Sequence, residues 1–321
     1  MKKNKRYCLI SLLVFETFFS VGRADTGFLS DYHWGCQGLS LANQEYELFE
    51  AEEEESFLLH RLACEGTLQD IEAFFNERNF DEQECVAVVN QADDGGRGMT
   101  PLQWACLMGK ADIVDFLCVF GADVSMVNGF GYSPAYYAIV ACSLASLQAL
   151  FQYGAGIDFR YEWPEIQERE LDVFWEEEDD YTLLHFAARS NGPAVLQFLV
   201  KAGCDVHAIS KQGATPLHVA VKHGNLRAVK FLVQKSTMLV NTPDKNGLTP
   251  LCHALEYKSS DRFKKRYTAR YLEIIRILLC AGADLTMIVP DKNVSLLAYG
   301  LDHENPTLRT IFQSFVQANP A

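Results

Sequence analysis

Thr215-Pro216-Leu217-His218 decides how this chain is read, because the same kind of opening returns along it. Thr100-Pro101-Leu102, Ser133-Pro134-Ala135, Thr182-Leu183-Leu184-His185 and Thr249-Pro250-Leu251 begin comparable segments. Thr100 to Ser133 and Thr182 to Thr215 are each 33 residues, and Thr215 to Thr249 is 34. A fixed period of this size marks a solenoid of stacked units, none of which can bury its apolar face alone.

The residues after each opening also repeat. After Thr100 come Ala105, Gly109, Ile113-Val114, Leu117 and Gly121-Ala122-Asp123-Val124; after Thr182 come Ala187-Ala188, Val195-Leu196, Leu199 and Gly203-Cys204-Asp205-Val206. The segment after Thr249 ends in Cys280-Ala281-Gly282-Ala283-Asp284-Leu285. Thr caps a first helix, and Pro is tolerated in its first turn, where no intrahelical N–H bond is lost. A mid-unit Gly (Gly109, Gly224) suits a tight turn into a second, antiparallel helix. The Gly of Gly-Ala-Asp closes that helix in a left-handed conformation, and the polar stretch beyond it forms a short finger.

These residues resemble the ankyrin repeat, over most of the chain after about residue 56. The resemblance implies an all-α solenoid of about seven stacked helix-turn-helix units with hairpin-like fingers. A degenerate unit starts near Phe57 (Phe57-Leu58-Leu59-His60). Units follow from Thr100, Ser133, Thr182, Thr215 and Thr249, and a truncated one starts at Ser295. The resemblance also implies a non-enzymatic scaffold binding another protein through its concave, finger-bearing face. His60, His185 and His218 fall at the motif's His, whose implied role is hydrogen bonding between repeats. The chain departs from the motif at Gln103, Tyr136 and Cys252, where weaker ties are expected.

Two spacings exceed one period. Ser133 to Thr182 is 49 residues, and the excess, about 158–181, lengthens a finger. It is acidic and aromatic. Insertions between repeats lie on one face, often the binding face, and aromatic side chains there make hot spots. Tyr161, Trp163, Phe174 and Trp175 are the candidate anchors, with Glu176, Glu177 and Glu178 steering a basic partner. The alternative is that the tryptophans fold back on the repeats. The second excess, about 256–271, lengthens the turn between two helices and is basic. Lys258, Arg262, Lys264, Lys265, Arg266 and Arg270 are candidates for an anionic protein, phosphate or lipid surface, with Tyr267 and Tyr271 beside them; a solvated, solubilising extension is the alternative.

Net charge is −14 over 321 residues, which argues against general nucleic-acid binding. Residues 1–24 read as a signal peptide: Lys2, Lys3, Lys5 and Arg6, an apolar run from Tyr7 to Phe19 interrupted by Glu16, and small residues at Gly22 and Ala24. The run is short for a membrane span. Residues 25–56 read as an acidic linker and 57–321 as the repeat domain. The leader points to an exported, bacterial-type protein, periplasmic or secreted, or translocated to act on host proteins; cytoplasmic residence is the alternative. Among ten Cys, Cys106, Cys118, Cys252 and Cys280 fall at helix-packing positions and read as small buried hydrophobes.

Nucleotide-binding, metalloprotease and nucleophile-elbow motifs are missing from the sequence. His223 and His253 show no carboxylate at a suggestive spacing. The expectation is a monomer without cofactor or metal, not an enzyme, with small-ligand binding at the aromatic finger as a lesser alternative.

Overall fold

The computed structural model describes residues 57–93, 98–161, 180–190, 192–256, 264–289, 292–303 and 305–318. The chain divides into two compact units between Gly156 and Ile157.

The first unit holds three helix pairs. They are α1 (Leu58–Glu65) with α2 (Leu68–Arg78), α4 (Pro101–Leu107) with α5 (Ala111–Val119), and α6 (Pro134–Val140) with α7 (Leu144–Gln152). An additional helix, α3 (Glu82–Val89), precedes the first finger. It was not expected, although its capping box was there to read: Asp81 accepts the Glu84 N–H while Glu84 accepts the Asp81 N–H.

The second unit starts with β1 (Arg160–Tyr161) and β2 (Tyr181–Thr182), followed by α8 (Leu183–Arg189) and α9 (Pro193–Ala202). Then come α10 (Pro216–Lys222) with α11 (Leu226–Lys235), and α12 (Pro250–Glu256) with α13 (Lys264–Cys280). A 3-10 turn, Thr237–Asn241, follows α11. The strands β3 (Ile288–Val289) and β4 (Val294–Ser295) lead into α14 (Leu296–Leu301) and α15 (Pro306–Ala318). Both strand pairs are antiparallel finger stems, with Tyr161 opposite Tyr181 and Val289 opposite Val294.

Seven helix pairs are thus present among the described residues, starting where the openings repeat. Thr100, Ser133, Thr249 and Ser295 cap the first helices, each accepting the backbone N–H three residues on. First helices pack on first helices (α4 on α1 and α6; α10 on α8 and α12), and second helices likewise (α7 on α5; α11 on α9 and α13). The core between them is read directly from helical spacing: Val195, Leu196 and Leu199; Val229, Leu232 and Val233; Ile274, Ile275, Leu278 and Leu279 are all buried. Each such side chain contributes on the order of 1.5–3 kcal/mol.

Between α4 and α5 the turn needs a positive φ, which Gly109 supplies at 69°. In the next repeat Cys142 holds this position at φ 53°, a conformation disfavoured for any residue with a Cβ. The residue after this turn ties successive repeats together. Lys110 Nζ donates to the Gly66 carbonyl at 2.6 Å, Ser143 Oγ to Gly109 at 3.4 Å, and Asn225 Nδ2 to the Ala188 and Ser190 carbonyls.

Cys106, Cys118 and Cys252 are buried as expected, but Cys280 is exposed, because it is the last residue of α13 and lies past that helix's apolar stripe. The basic insertion is also more regular than a lengthened turn. From Lys264 it is the first part of α13, a helix of 17 residues. Among the described residues no helix is long and apolar enough to cross a membrane.

Candidate protein-binding surface

Four of the fingers are anchored by a hydrogen bond from the third residue of the preceding first helix. His185 Nδ1 accepts the Thr182 N–H at 3.1 Å, which places the proton on Nε2, and Nε2 donates to the Ala214 carbonyl at 2.9 Å. His218 repeats this with Thr215 N–H and the Leu248 carbonyl, both at 3.1 Å. His60 Nε2 donates to the Gln91 carbonyl at 2.8 Å. Burial pushes the imidazoles of His185 and His218 down to about 4, so both are neutral near pH 7. With both ring nitrogens of His185 and His218 committed, these residues hold fingers in place and are not poised for proton transfer.

The expectation of a weaker tie at Gln103 is corrected. Gln103 Oε1 accepts the Thr100 N–H at 3.0 Å, and Nε2 donates to the Met126 and Tyr132 carbonyls at 2.8 and 3.1 Å. A primary amide has two N–H groups and one acceptor, so it matches the imidazole pattern and adds a bond. At Tyr136 a ring stacked on Tyr132, centroids 3.9 Å apart, takes the place of the imidazole. Cys252 keeps a local contact, with Thr249 Oγ1 donating to its Sγ at 3.3 Å.

A second contact sits at the foot of four of the fingers. Asp244 Oδ1 accepts the Asn246 and Leu248 N–H groups at 2.8 and 2.9 Å, closing the turn, while Oδ2 is 2.8 Å from His253 Nε2. His253 therefore does have a carboxylate partner, contrary to expectation. The turn carries Asp244 back toward the fourth residue of α12. The same two positions meet elsewhere. Trp104 Nε1 donates to Asp93 Oδ2 at 2.7 Å, and Asn128 Nδ2 donates to Tyr137 Oη at 2.7 Å. In the second unit's first finger these positions are Tyr161 and Phe186, edge to face at 6.0 Å.

That location corrects the reading of Tyr161. It is 2% exposed and belongs to a finger stem, so it is a packing residue and not a projecting anchor. Trp163, Phe174, Trp175, Glu176, Glu177 and Glu178 lie outside the described residues. Lys258 and Arg262 do too; Lys264, Lys265 and Arg266 are placed in the first turn of α13, and Arg270 is half-buried further along it. Tyr271, read as a surface aromatic, is buried, with its hydroxyl donating to the Lys222 carbonyl at 2.7 Å and its ring against Gly224.

Outward from the anchored feet, the finger residues are exposed. Val127, Ile209 and Ile288 each stand one residue before the finger-foot position, at 46%, 51% and 56% exposure. Sequence reasoning passed over them because it looked for long insertions. Within the second unit the fingers are laced together. Arg160 Nη1 donates to the Ile209 carbonyl at 3.2 Å and bridges Asp180 at 3.0 Å, and the Lys245 N–H donates to the Gln212 carbonyl at 3.0 Å.

A family profile described as ankyrin repeats (three copies) matches residues 59–161 and 184–288. The chain belongs to the ankyrin-repeat family. Its helix pairs are ankyrin repeats, and within each unit they stack as the all-α ankyrin solenoid. The human ASB11 ankyrin repeat domain aligns with a TM-score of 0.58 at 20% identity, over 80% of this chain and 96% of that one. The ankyrin repeat domain of Bcl-3 aligns with a TM-score of 0.53 at 22% identity, over 79% and 97%. In sequence, human transient receptor potential cation channel subfamily A member 1 is 29% identical over 52% of this chain. The zebrafish putative palmitoyltransferase ZDHHC13 is 26% identical over 76% of it. The chain spans 17% and 36% of the lengths of those two proteins. The yeast probable 26S proteasome regulatory subunit p28 is 28% identical over 56% of this chain and 75% of its own length. These relatives are eukaryotic and lend the bacterial, exported reading no support. Ankyrin repeats generally mediate protein–protein interaction, and the ankyrin fold is typically a non-enzymatic interaction module.

Proposed function

We propose that this protein is a non-enzymatic scaffold that binds a partner protein through the fingers of its ankyrin repeats. One observation carries the reading. Val127, Ile209 and Ile288 occupy the same repeat position in three repeats, and all are exposed. A single exposed aliphatic side chain is ordinary. Recurrence at one finger position, once in the first unit and twice in the second, supports partner contacts on the fingers of each unit. The relatives agree in kind: one is named a regulatory subunit, and the chicken relative, 29% identical over 40% of this chain, is named NF-kappa-B inhibitor alpha.

We also propose that the acidic insertion, through Trp163, Phe174, Trp175 and Glu176–Glu178, adds a contact for a basic stretch of the partner. The leader-like residues 1–24 support export. The test is affinity capture with quantitative mass spectrometry, comparing wild type with Val127→Asp, Ile209→Asp and Ile288→Asp. A partner lost from the variants while their melting temperatures stay unchanged supports the finger surface. A partner retained by all of them counts against it. Replacing residues 162–179 with a short Gly-Asn turn tests the insertion separately, and N-terminal sequencing of the mature protein tests export.

A further inference from the structure

The second helices of the second unit carry one sign of charge. Between them α9, α11, α13 and α15 hold ten Lys and Arg and a single acid, Glu273. The second helices of the first unit have the opposite balance: α2, α5 and α7 hold five Asp and Glu against Arg78 alone. The acidic stretch 162–179 lies between β1 and β2, not on these helices. Net charge over the chain is −14, so a set of helices this basic runs against the overall composition.

These charges share a surface. α11 packs on α9 and α13, and α15 packs on α13, so the four helices form one layer. Lys201, Arg227, Lys230 and Arg276 are exposed, with Gln197 and Gln234, on the side of their helices opposite the buried stripes. Lys235 lies nearer the edge, its Nζ 5.5 Å from the ring centroid of Phe231. Arg276 is 3.8 Å from Glu273. Among the described residues no carboxylate pairs with Lys201, Arg227, Lys230 or Lys235. Met238, 77% exposed, stands three residues beyond Lys235.

We infer that this second-helix face docks on an anionic lipid bilayer, a role separate from partner binding by the fingers. Packed helices lie about 8–10 Å apart, so three such spacings make the layer about 24–30 Å across. An acidic helix of a partner is about 10–12 Å wide and would reach only part of it. A bilayer is charged over the whole breadth. Fields of exposed charges fade within about 8 Å at physiological salt, so a membrane meets the local sign of this face and not the net charge of the chain. Lys and Arg lay their apolar stems along the surface while their charged heads reach the anionic headgroups. Met238 supplies an apolar side chain for the boundary beneath them.

The experiment is vesicle co-sedimentation of the full chain, with phosphatidylcholine vesicles and with vesicles containing about one third phosphatidylserine. Binding is expected to the anionic vesicles only, and to fall as salt rises. Each cation at an anionic surface strengthens binding about fivefold, so Lys201→Glu, Arg227→Glu, Lys230→Glu is expected to weaken partitioning about tenfold or more. The milder Lys201→Gln, Arg227→Gln, Lys230→Gln is expected to show an intermediate loss. The same charge reversal on exposed finger residues, Lys211→Glu, Lys245→Glu, Lys292→Glu, is expected to weaken partitioning about threefold at most. Melting temperatures of all three variants are expected to match wild type. No binding to the anionic vesicles, equal binding to the neutral ones, or equal losses from the two reversals would overturn the assignment. Tighter binding to soluble polyglutamate than to the anionic vesicles would overturn it too, in favour of an acidic protein. Cross-linking of a partner protein from the fingers reads the scaffold function separately, so either reading can fail while the other stands.

Discussion

The carboxylate of Asp244 and the imidazole of His253 meet at 2.8 Å across the foot of a finger, and the other oxygen of the same carboxylate holds that finger's turn. One side chain thus couples the surface loop to the first helix beneath it. Removing it leaves turn N–H groups without their acceptor. Asp244→Ala is expected to cost about 2–3 kcal/mol in urea unfolding, while Asp244→Asn, which keeps an oxygen for the turn, is expected to cost about half as much. Equal losses in the two variants would mean the turn bonds carry little of the stability.

The buried histidines set an acid limit. His185 and His218 have folded values of about 4 against 6.5 for the free side chain. Between those values the unfolded chain binds more protons than the folded one. Their stabilising effect is complete above pH 6.5 and is lost as the pH falls toward 4, on the order of several kcal/mol for the pair. Gln103 shows what replaces an imidazole without titrating. The double variant His185→Gln, His218→Gln is expected to shift the acid-unfolding midpoint down by about half to one pH unit. An unchanged midpoint would assign acid unfolding to other groups.

Cys142 holds a left-handed conformation where Gly109 stands one repeat earlier. Cys142→Gly is therefore expected to stabilise the chain by about 0.5–1 kcal/mol, and Gly109→Ala to destabilise it by about 1–2 kcal/mol. Thermal unfolding of both variants checks the pair. A destabilised Cys142→Gly would mean the thiol's own contacts outweigh the backbone preference.

Asn225 caps α11 through the Ala228 N–H and donates to two carbonyls of the preceding repeat. Asn225→Ala removes both roles and is expected to cost about 2–3 kcal/mol; Asn225→Ser restores the cap and about half the loss. Should Ser rescue everything, the carbonyl bonds contribute nothing measurable.

The repeat period was legible because its markers are chemical necessities: Thr or Ser as cap, Pro in the first turn, Leu or Val at helical spacing. The contacts at the finger feet were not, because the residue types change from copy to copy. Asp93 meets Trp104, Asn128 meets Tyr137, Tyr161 meets Phe186 and Asp244 meets His253. Spacing would have found them; matching identities could not. Tyr161 and Tyr271 misled for a related reason. Both lie at the edges of insertions, yet each occupies a repeat position that packs inward. Gln103 misled because departure from the usual histidine was read as a lost bond, although an amide offers the same donor and acceptor.

The scaffold reading is tested most directly by site-specific photo-cross-linking in the producing cell. A benzophenone amino acid would replace Val127, Ile209 or Ile288 on the fingers, and Gln197, Lys230 or Gln234 on the exposed faces of the second helices α9 and α11. The reading predicts a discrete covalent adduct with one partner protein from the finger positions and none from the second helices. Adducts confined to the second helices, or no adduct from any finger position, would contradict it.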